Sequence, residues 1–159
     1  DELYMKLCLK AASLDTSPPK FIQKIKHMHE KFDVFISHAS EDKDDIVRPI
    51  YNELEKIGVT AFLDEVHMGW GDSLTEKINH ALGQSKFVLA VLSEASIDKK
   101  WPRKEINAAL SREMAGKQKI LPLIVAEIGL DSLSLLEDKI YINWEDNPQE
   151  IANKIKALL

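Results

Sequence analysis

From Phe32 to the C-terminus the chain alternates between two hydrophobic rhythms. Phe32-Asp33-Val34-Phe35-Ile36 is a short apolar run that stops at Ser37-His38, the length and composition of a buried strand. Ser40, Glu41 and Asp42 follow, a small polar residue and two acids suited to the positive end of a helix. Ile46, Val47, Ile50, Leu54 and Ile57 then form one helical stripe, closed by Gly58. Val59 to Leu63 predicts a second strand, and Asp64 to Asp72 a loop with two glycines. Ser73-Leu74-Thr75-Glu76 has the form of a capping box and opens a helix with Leu74, Ile78, Ala81 and Leu82 inward, ending at Gly83. Phe87 to Leu92 is the longest continuous apolar strand, which predicts a central position covered on both faces. Pro102 suits the first turn of a helix running to about Met114. Ile120 to Val125 reads as a fourth strand, where Pro122 predicts a bulge or a position near the sheet edge. Ile140 to Trp144 is a short fifth strand, and residues 148–158 form a last helix through Ile151, Ile155 and Leu158.

Strands that alternate with helices predict a parallel sheet with right-handed crossovers. Five strands in this span fit an α/β, flavodoxin-like doubly wound domain with strand order 2-1-3-4-5, flanked by helices. In such sheets a ligand sits beyond the carboxyl ends of the strands where the strand order reverses, here between strands one and three. That reading directs attention to Ser37–Lys43, to Ser93–Glu105 and to the neighbouring loop from Asp64.

Residues 1–30 follow a different pattern. Leu3, Leu7 and Ala11 keep a helical spacing, Ser17-Pro18-Pro19 breaks it, and Phe21, Ile22, Ile25 and Met28 suggest a second short helix. The expected organisation is a helical extension or linker over 1–30, the end of an upstream region, and one domain over 31–159. The extension reads either as a partner-binding arm or as a packed addition to the domain. Beginning at Asp1, the sequence reads as a piece of a longer protein.

Composition narrows the function. The 159 residues are 45% hydrophobic and 30% charged, as in an ordinary globular domain. A net charge of −5 without a basic patch makes nucleic acid a poor partner. No apolar run approaches the length of a membrane span and no signal peptide is evident, so no membrane partner is expected. The single cysteine, Cys8, cannot form an intrachain disulfide; it suits a reducing compartment and a cytoplasmic location, and reads as a small apolar residue before a reactive thiol. His27 and His29 fall on a predicted helix with a spacing that does not bring them together, so no metal site is read there.

The loops at the predicted switch point carry a resemblance. Phe32 to Asp42, with its Ser37-His38-Ala39-Ser40-Glu41-Asp42 ending, resembles the first-strand motif of Toll/interleukin-1-receptor (TIR) domains in their bacterial form. Phe62-Leu63-Asp64-Glu65 with Gly71-Asp72-Ser73-Leu74 looks like the second strand and following loop of that family, and Val88–Ser93 like its third strand. Trp101-Pro102-Arg103-Lys104-Glu105 matches its Trp-x-x-x-Glu pattern. Four such pieces come in order, at the family's spacings, and the resemblance spans residues 32–159, about four-fifths of the chain.

The resemblance implies cleavage of the nicotinamide–ribose bond of NAD+, giving nicotinamide with ADP-ribose or a cyclic form of it. It makes Glu105 the catalytic residue and NAD+ the substrate, so no separate cofactor is implied. It also implies other TIR domains as partners, in a homo-oligomer or filament formed through the Gly69–Asp72 loop, which can also close over the nucleotide. The chemistry is consistent with a single carboxylate. Nicotinamide leaves as a neutral molecule and needs no general acid, which removes one of the two carboxyl groups usual at a glycosidic centre. What remains is an oxocarbenium-like ribose that nearby negative charge stabilises.

The spacing of Trp101 and Glu105 puts both on one face at a helix start, where the aromatic can wall the nicotinamide–ribose pocket; without the family the pair reads as a packing residue and a solvated acid. The remaining substrate-binding candidates carry less. Ser37 can bond ligand or cap its turn. His38 can contact nucleotide or serve as a turn residue bonded to backbone. Lys43 can face the pyrophosphate or stand solvated on its helix. Asp64 can order the loop after strand two or touch ligand. Gly71-Asp72-Ser73-Leu74 spells a lipase-like string, but Ser73 is explained as an N-cap and no acid–histidine partner pattern follows it.

A TIR signalling adaptor that acts by assembly alone is the alternative function. A phosphoacceptor receiver domain shares the topology but needs an acid pair after strand one and an acceptor Asp at the end of strand three. Here those positions hold Ser37-His38 and Leu92-Ser93.

Overall fold

The computed structural model describes residues 31–64, 71, 74–98, 115–116, 118–125 and 140–159. All but Lys31 belong to one compact unit, Phe32–Leu159. The helices expected over 1–30 and from Pro102 lie outside the described residues. Five parallel strands, β1 (Phe32–Ser37), β2 (Ala61–Phe62), β3 (Ser85–Leu92), β4 (Lys119–Ile124) and β5 (Ile142–Asn143), form one sheet in the order β2-β1-β3-β4-β5. This is the predicted doubly wound order. The strand order reverses between β1 and β3, which pair from Phe32↔Ser85 to Ser37↔Ala90.

The apolar runs are long because the central strands are covered on both faces. Val34 and Ile36 of β1 join Leu89 and Val91 of β3 in a core with Ile46, Val47, Ile50 and Leu54, and with Ile151 and Ile155. Phe35 of β1 and Val88, Ala90 and Leu92 of β3 face the other way, against Ile78, Ala81 and Leu82. Successive strand side chains point to opposite faces, so an unbroken apolar run means two cores.

Helix α1 (Arg48–Lys56) carries Ile50 and Leu54 of the predicted stripe, with Ile46 and Val47 in the turn before it and Ile57 just after it, and packs against α4 (Pro148–Ala157). Its approach differs from a simple capped start. Ser40–Asp42 form a 3₁₀ turn and Lys43–Val47 a π-type turn, and no side chain caps either one. At its other end the Gly58 N–H bonds the Glu55 carbonyl at 3.1 Å and the Val59 N–H the Leu54 carbonyl at 3.0 Å. That is a Schellman closure, and it requires the positive φ of 77° that Gly58 adopts. Lys156 of α4 donates to the Ile57 carbonyl and satisfies another free acceptor there.

Several boundaries fall differently from the sequence pattern. Helix α2 (Leu74–Gln84) runs through Gly83 and β3 starts at once at Ser85, two residues earlier than its first large apolar side chain. The buried Gln118 side chain donates to the carbonyls of Leu82 (2.7 Å) and Ser85 (2.9 Å), so the helix end is served by another segment instead of by a glycine turn. Pro122 causes no bulge, since β4 stays in register with β3 from Phe87↔Lys119 to Leu92↔Ile124. Its tolerance comes from the edge, because β5 pairs only with Leu123 and Ile124. A short helix α3 (Glu94–Asp98) follows β3, where the pattern predicts only a loop. Among the described residues no helix is long and apolar enough to cross a membrane.

Candidate functional site

Three loops leave the carboxyl ends of β1, β2 and β3, and the described residues there are tied together by side chains. Ser37 occupies the last position of β1, in register with Ala90 of β3, and is buried. His38 follows it and is also buried, at 4% exposure. Its Nδ1 lies 3.2 Å from the Ile36 carbonyl oxygen. A carbonyl only accepts, so Nδ1 carries a hydrogen and Nε2 is the nitrogen left to accept when the ring is neutral. The backbone bond expected of His38 as a turn residue is present.

Burial pushes the His38 imidazole below its ordinary value of 6.5. The Ile36 carbonyl, Asp64 and Asp42 act in the opposite direction, and Lys43 adds to the lowering. The fold therefore binds fewer protons at His38 than the unfolded chain does. Its contribution to stability is complete above 6.5 and declines as pH falls below that value, until the lower folded value is reached. The urea midpoint of the wild type is expected to drop between about pH 7.5 and about pH 5.5 by more than that of His38→Gln. Parallel pH profiles for the two proteins would remove His38 from this account.

Lys43 and Asp64 do come together. The Lys43 Nζ lies 2.9 Å from Asp64 Oδ1, with the two side chains 20% and 30% exposed. The π-type turn before α1 is thereby linked to the loop that follows β2, and Lys43 has an ion-pair partner.

The third tie is one that the sequence pattern does not reveal. The Ser93 hydroxyl donates to Asp42 Oδ2 at 2.5 Å, across 51 residues of chain, and both side chains are buried. Ser93 also caps α3 together with Ser96. The Ser96 N–H donates to Ser93 Oγ at 3.1 Å, and the Ser93 N–H donates to Ser96 Oγ at 2.8 Å. This is a reciprocal capping box with serine in the place of the usual Glu or Gln. The Ser93-x-x-Ser96 spacing after an apolar strand was its only linear signal. Asp42 had none, because it reads as one more acid in a helix start.

Trp101 and Glu105 lie outside the described residues, as do Gly69 and Trp70. Ser37, His38, Lys43 and Asp64 are brought to one end of the sheet, at and beside the switch point. Among the described residues no group of three or more His, Cys, Asp and Glu side chains could hold a metal ion.

The whole of this unit is similar to known proteins. The family model for the TIR domain matches residues 34–159. The 2' cyclic ADP-D-ribose synthase AbTIR of Acinetobacter baumannii is 39% identical over 149 residues, covering 91% of this chain and 55% of that protein. The NAD(+) hydrolase TcpA of a Theionarchaea archaeon is 33% identical over 132 residues, covering 81% of this chain and 40% of that protein. The chain thus spans about half the length of these relatives. Among solved structures, the TIR domain of the Toll-related receptor TRR-2 of Hydra magnipapillata superimposes with a TM-score of 0.63 at 21% identity, over 79% of this chain and 99% of that one. At that identity the likeness is one of fold.

Proposed function

This chain belongs to the TIR domain family, and from that premise we propose that it cleaves the nicotinamide–ribose bond of NAD+, releasing nicotinamide and leaving ADP-ribose or a cyclic form of it. The observation that carries the reading is the 39% identity, over 91% of the chain, to a protein named as a 2' cyclic ADP-D-ribose synthase. The fold supports it, because the β1 and β3 loops meet where doubly wound sheets receive nucleotides. In this reading Glu105 stabilises the developing positive charge on ribose and Trp101 walls the nicotinamide side. Lys43 is the basic side chain on the β1 loop for the pyrophosphate, with Asp64 holding it until substrate enters. Ser37 and His38 form the floor beneath.

Self-association through the Gly69–Asp72 loop belongs to the same proposal. The rate of nicotinamide release per mole of protein is expected to rise with protein concentration. Trp70→Ala is expected to abolish that rise, lowering the rate by about 10-fold or more if the assembled form supplies oriented groups to the site. Light scattering and chromatography of the nicotinamide product, run on the same samples, test it. A rate per mole that is independent of concentration would remove assembly from the mechanism. Assembly broken by Trp70→Ala, with no NAD+ loss in any sample, would favour the adaptor.

A further inference from the structure

The Asp42–Ser93 contact asks for more than a helix cap. A capping box needs only its two serines, and Ser93 and Ser96 complete one between themselves, with the Ser96 hydroxyl also donating to the Ser93 carbonyl at 2.9 Å. Asp42 is not one of the partners that such a cap requires. Its side chain is nonetheless 8% exposed, and a buried carboxyl group is costly unless hydrogen bonds hold it. The one hydrogen of the Ser93 hydroxyl goes to Asp42 Oδ2, which leaves the oxygen's lone pairs to receive the Ser96 N–H. The β1 loop therefore fixes the orientation of the hydroxyl that starts α3. Asp42 itself is held from the β1 side, where its N–H bonds the Ala39 carbonyl at 3.1 Å and Ala39 is buried.

We propose that Asp42 is a positioning residue for NAD+ cleavage. Through Ser93 it anchors the start of α3 against the β1 loop, and so sets where the chain that leads in sequence to Glu105 leaves the sheet. It touches neither substrate nor reacting atoms. The proposal rests on the NAD-cleaving reading above. Its physical basis is that catalysis by a placed carboxylate is steep in distance, so an ångström of misplacement costs on the order of 10²-fold in rate.

The test uses the whole chain at a concentration where it is assembled. Asp42→Ala and Ser93→Ala are each expected to lower kcat for nicotinamide release by about 10- to 100-fold, with KM within about threefold of wild type. Asp42→Asn and Ser93→Thr keep an acceptor and a hydroxyl in place and are expected to recover most of the rate. Asn147→Ala is the control, since Asn147 caps α4 by accepting from the Glu150 N–H at 3.2 Å and stands outside the site. It is expected to lower the melting temperature and leave kcat unchanged. Hydrogen exchange of the Ser93–Asp98 amides is expected to quicken in Asp42→Ala and not in Asn147→Ala. If wild type cleaves NAD+ and both alanine variants keep the kcat of Asn147→Ala, the positioning role is overturned and the activity stands. If wild type does not cleave NAD+, the activity reading fails, and unchanged exchange in the alanine variants would overturn the anchor as well. Ser93→Ala decides the matter should Asp42→Ala fail to fold.

Discussion

Replacing Glu105 by alanine is expected to slow nicotinamide release from NAD+ by about 10²- to 10³-fold, the range found when a single preorganised electrostatic group is removed from an active site. That factor corresponds to about 3–4 kcal/mol of transition-state stabilisation. The size follows from the chemistry of the bond. The leaving nicotinamide takes the bonding electrons and becomes neutral, so no proton must be delivered to it. The cost of the reaction then lies in the positive charge that appears on the ribose, and a carboxylate beside that charge is the group able to lower it. Glu105→Gln separates charge from shape. The amide has nearly the same size and can still hydrogen-bond a hydroxyl, but carries no negative charge. It is expected to lose nearly as much as alanine. A glutamine variant with most of the wild-type rate would mean that Glu105 acts by orienting substrate. Steady-state kinetics on both variants, with circular dichroism to confirm the fold, is the measurement.

The second large effect is on the core. Phe35→Ala is expected to destabilise the fold by about 3–5 kcal/mol. Phe35 is 2% exposed and stacks on Phe62, with ring centroids 5.2 Å apart and planes 7° from parallel. Phe62 in turn meets the edge of Phe32 at 5.4 Å. Removing the Phe35 ring leaves a cavity under the central strand and takes away its stacked pair with Phe62, worth about 1 kcal/mol beyond its area. A domain with an ordinary total stability of about 5–15 kcal/mol keeps little margin after that loss. Phe35→Leu refills part of the space and is expected to cost less. Urea unfolding gives both values. A Phe35→Ala variant within about 1 kcal/mol of wild type would show that the layer between β1 and α2 is loosely packed. The effect also bears on function, because β1 ends two residues later at Ser37, where the candidate site begins.

The fold was legible because its signals are dense. Each strand of the centre is an apolar run, and the stripe from Ile46 to Leu54 has the period of a helix. Both patterns come from burial, and burial decides the architecture. The boundaries were less legible where another segment does the work. Gly83 reads as a stop, but the helix passes through it, and Gln118 reaches across to the Leu82 carbonyl near its end. Pro122 left a bulge and an edge position open in the sequence, and the edge is the one found, since β5 pairs only beyond it. The site was legible as a place more than as a set of contacts. The strand order brings Ser37, His38, Lys43 and Asp64 to one end of the sheet. The pairing of Lys43 with Asp64, and of Asp42 with Ser93, joins residues far apart in the chain. No periodicity marks such a pair, because the interaction depends on how two loops meet in space. Glu105 and Trp101 are readable only through the Trp-x-x-x-Glu pattern, since an acid and an aromatic one helical turn apart are common on any helix surface.

The central claim is turnover of NAD+ by this chain. Its most direct test is chromatography of NAD+ incubated with the wild-type protein at a concentration where light scattering shows it assembled. The account predicts one nicotinamide formed for each NAD+ lost, over many turnovers per chain, with ADP-ribose or a cyclic isomer as the partner product. NAD+ recovered intact from the assembled protein would contradict it.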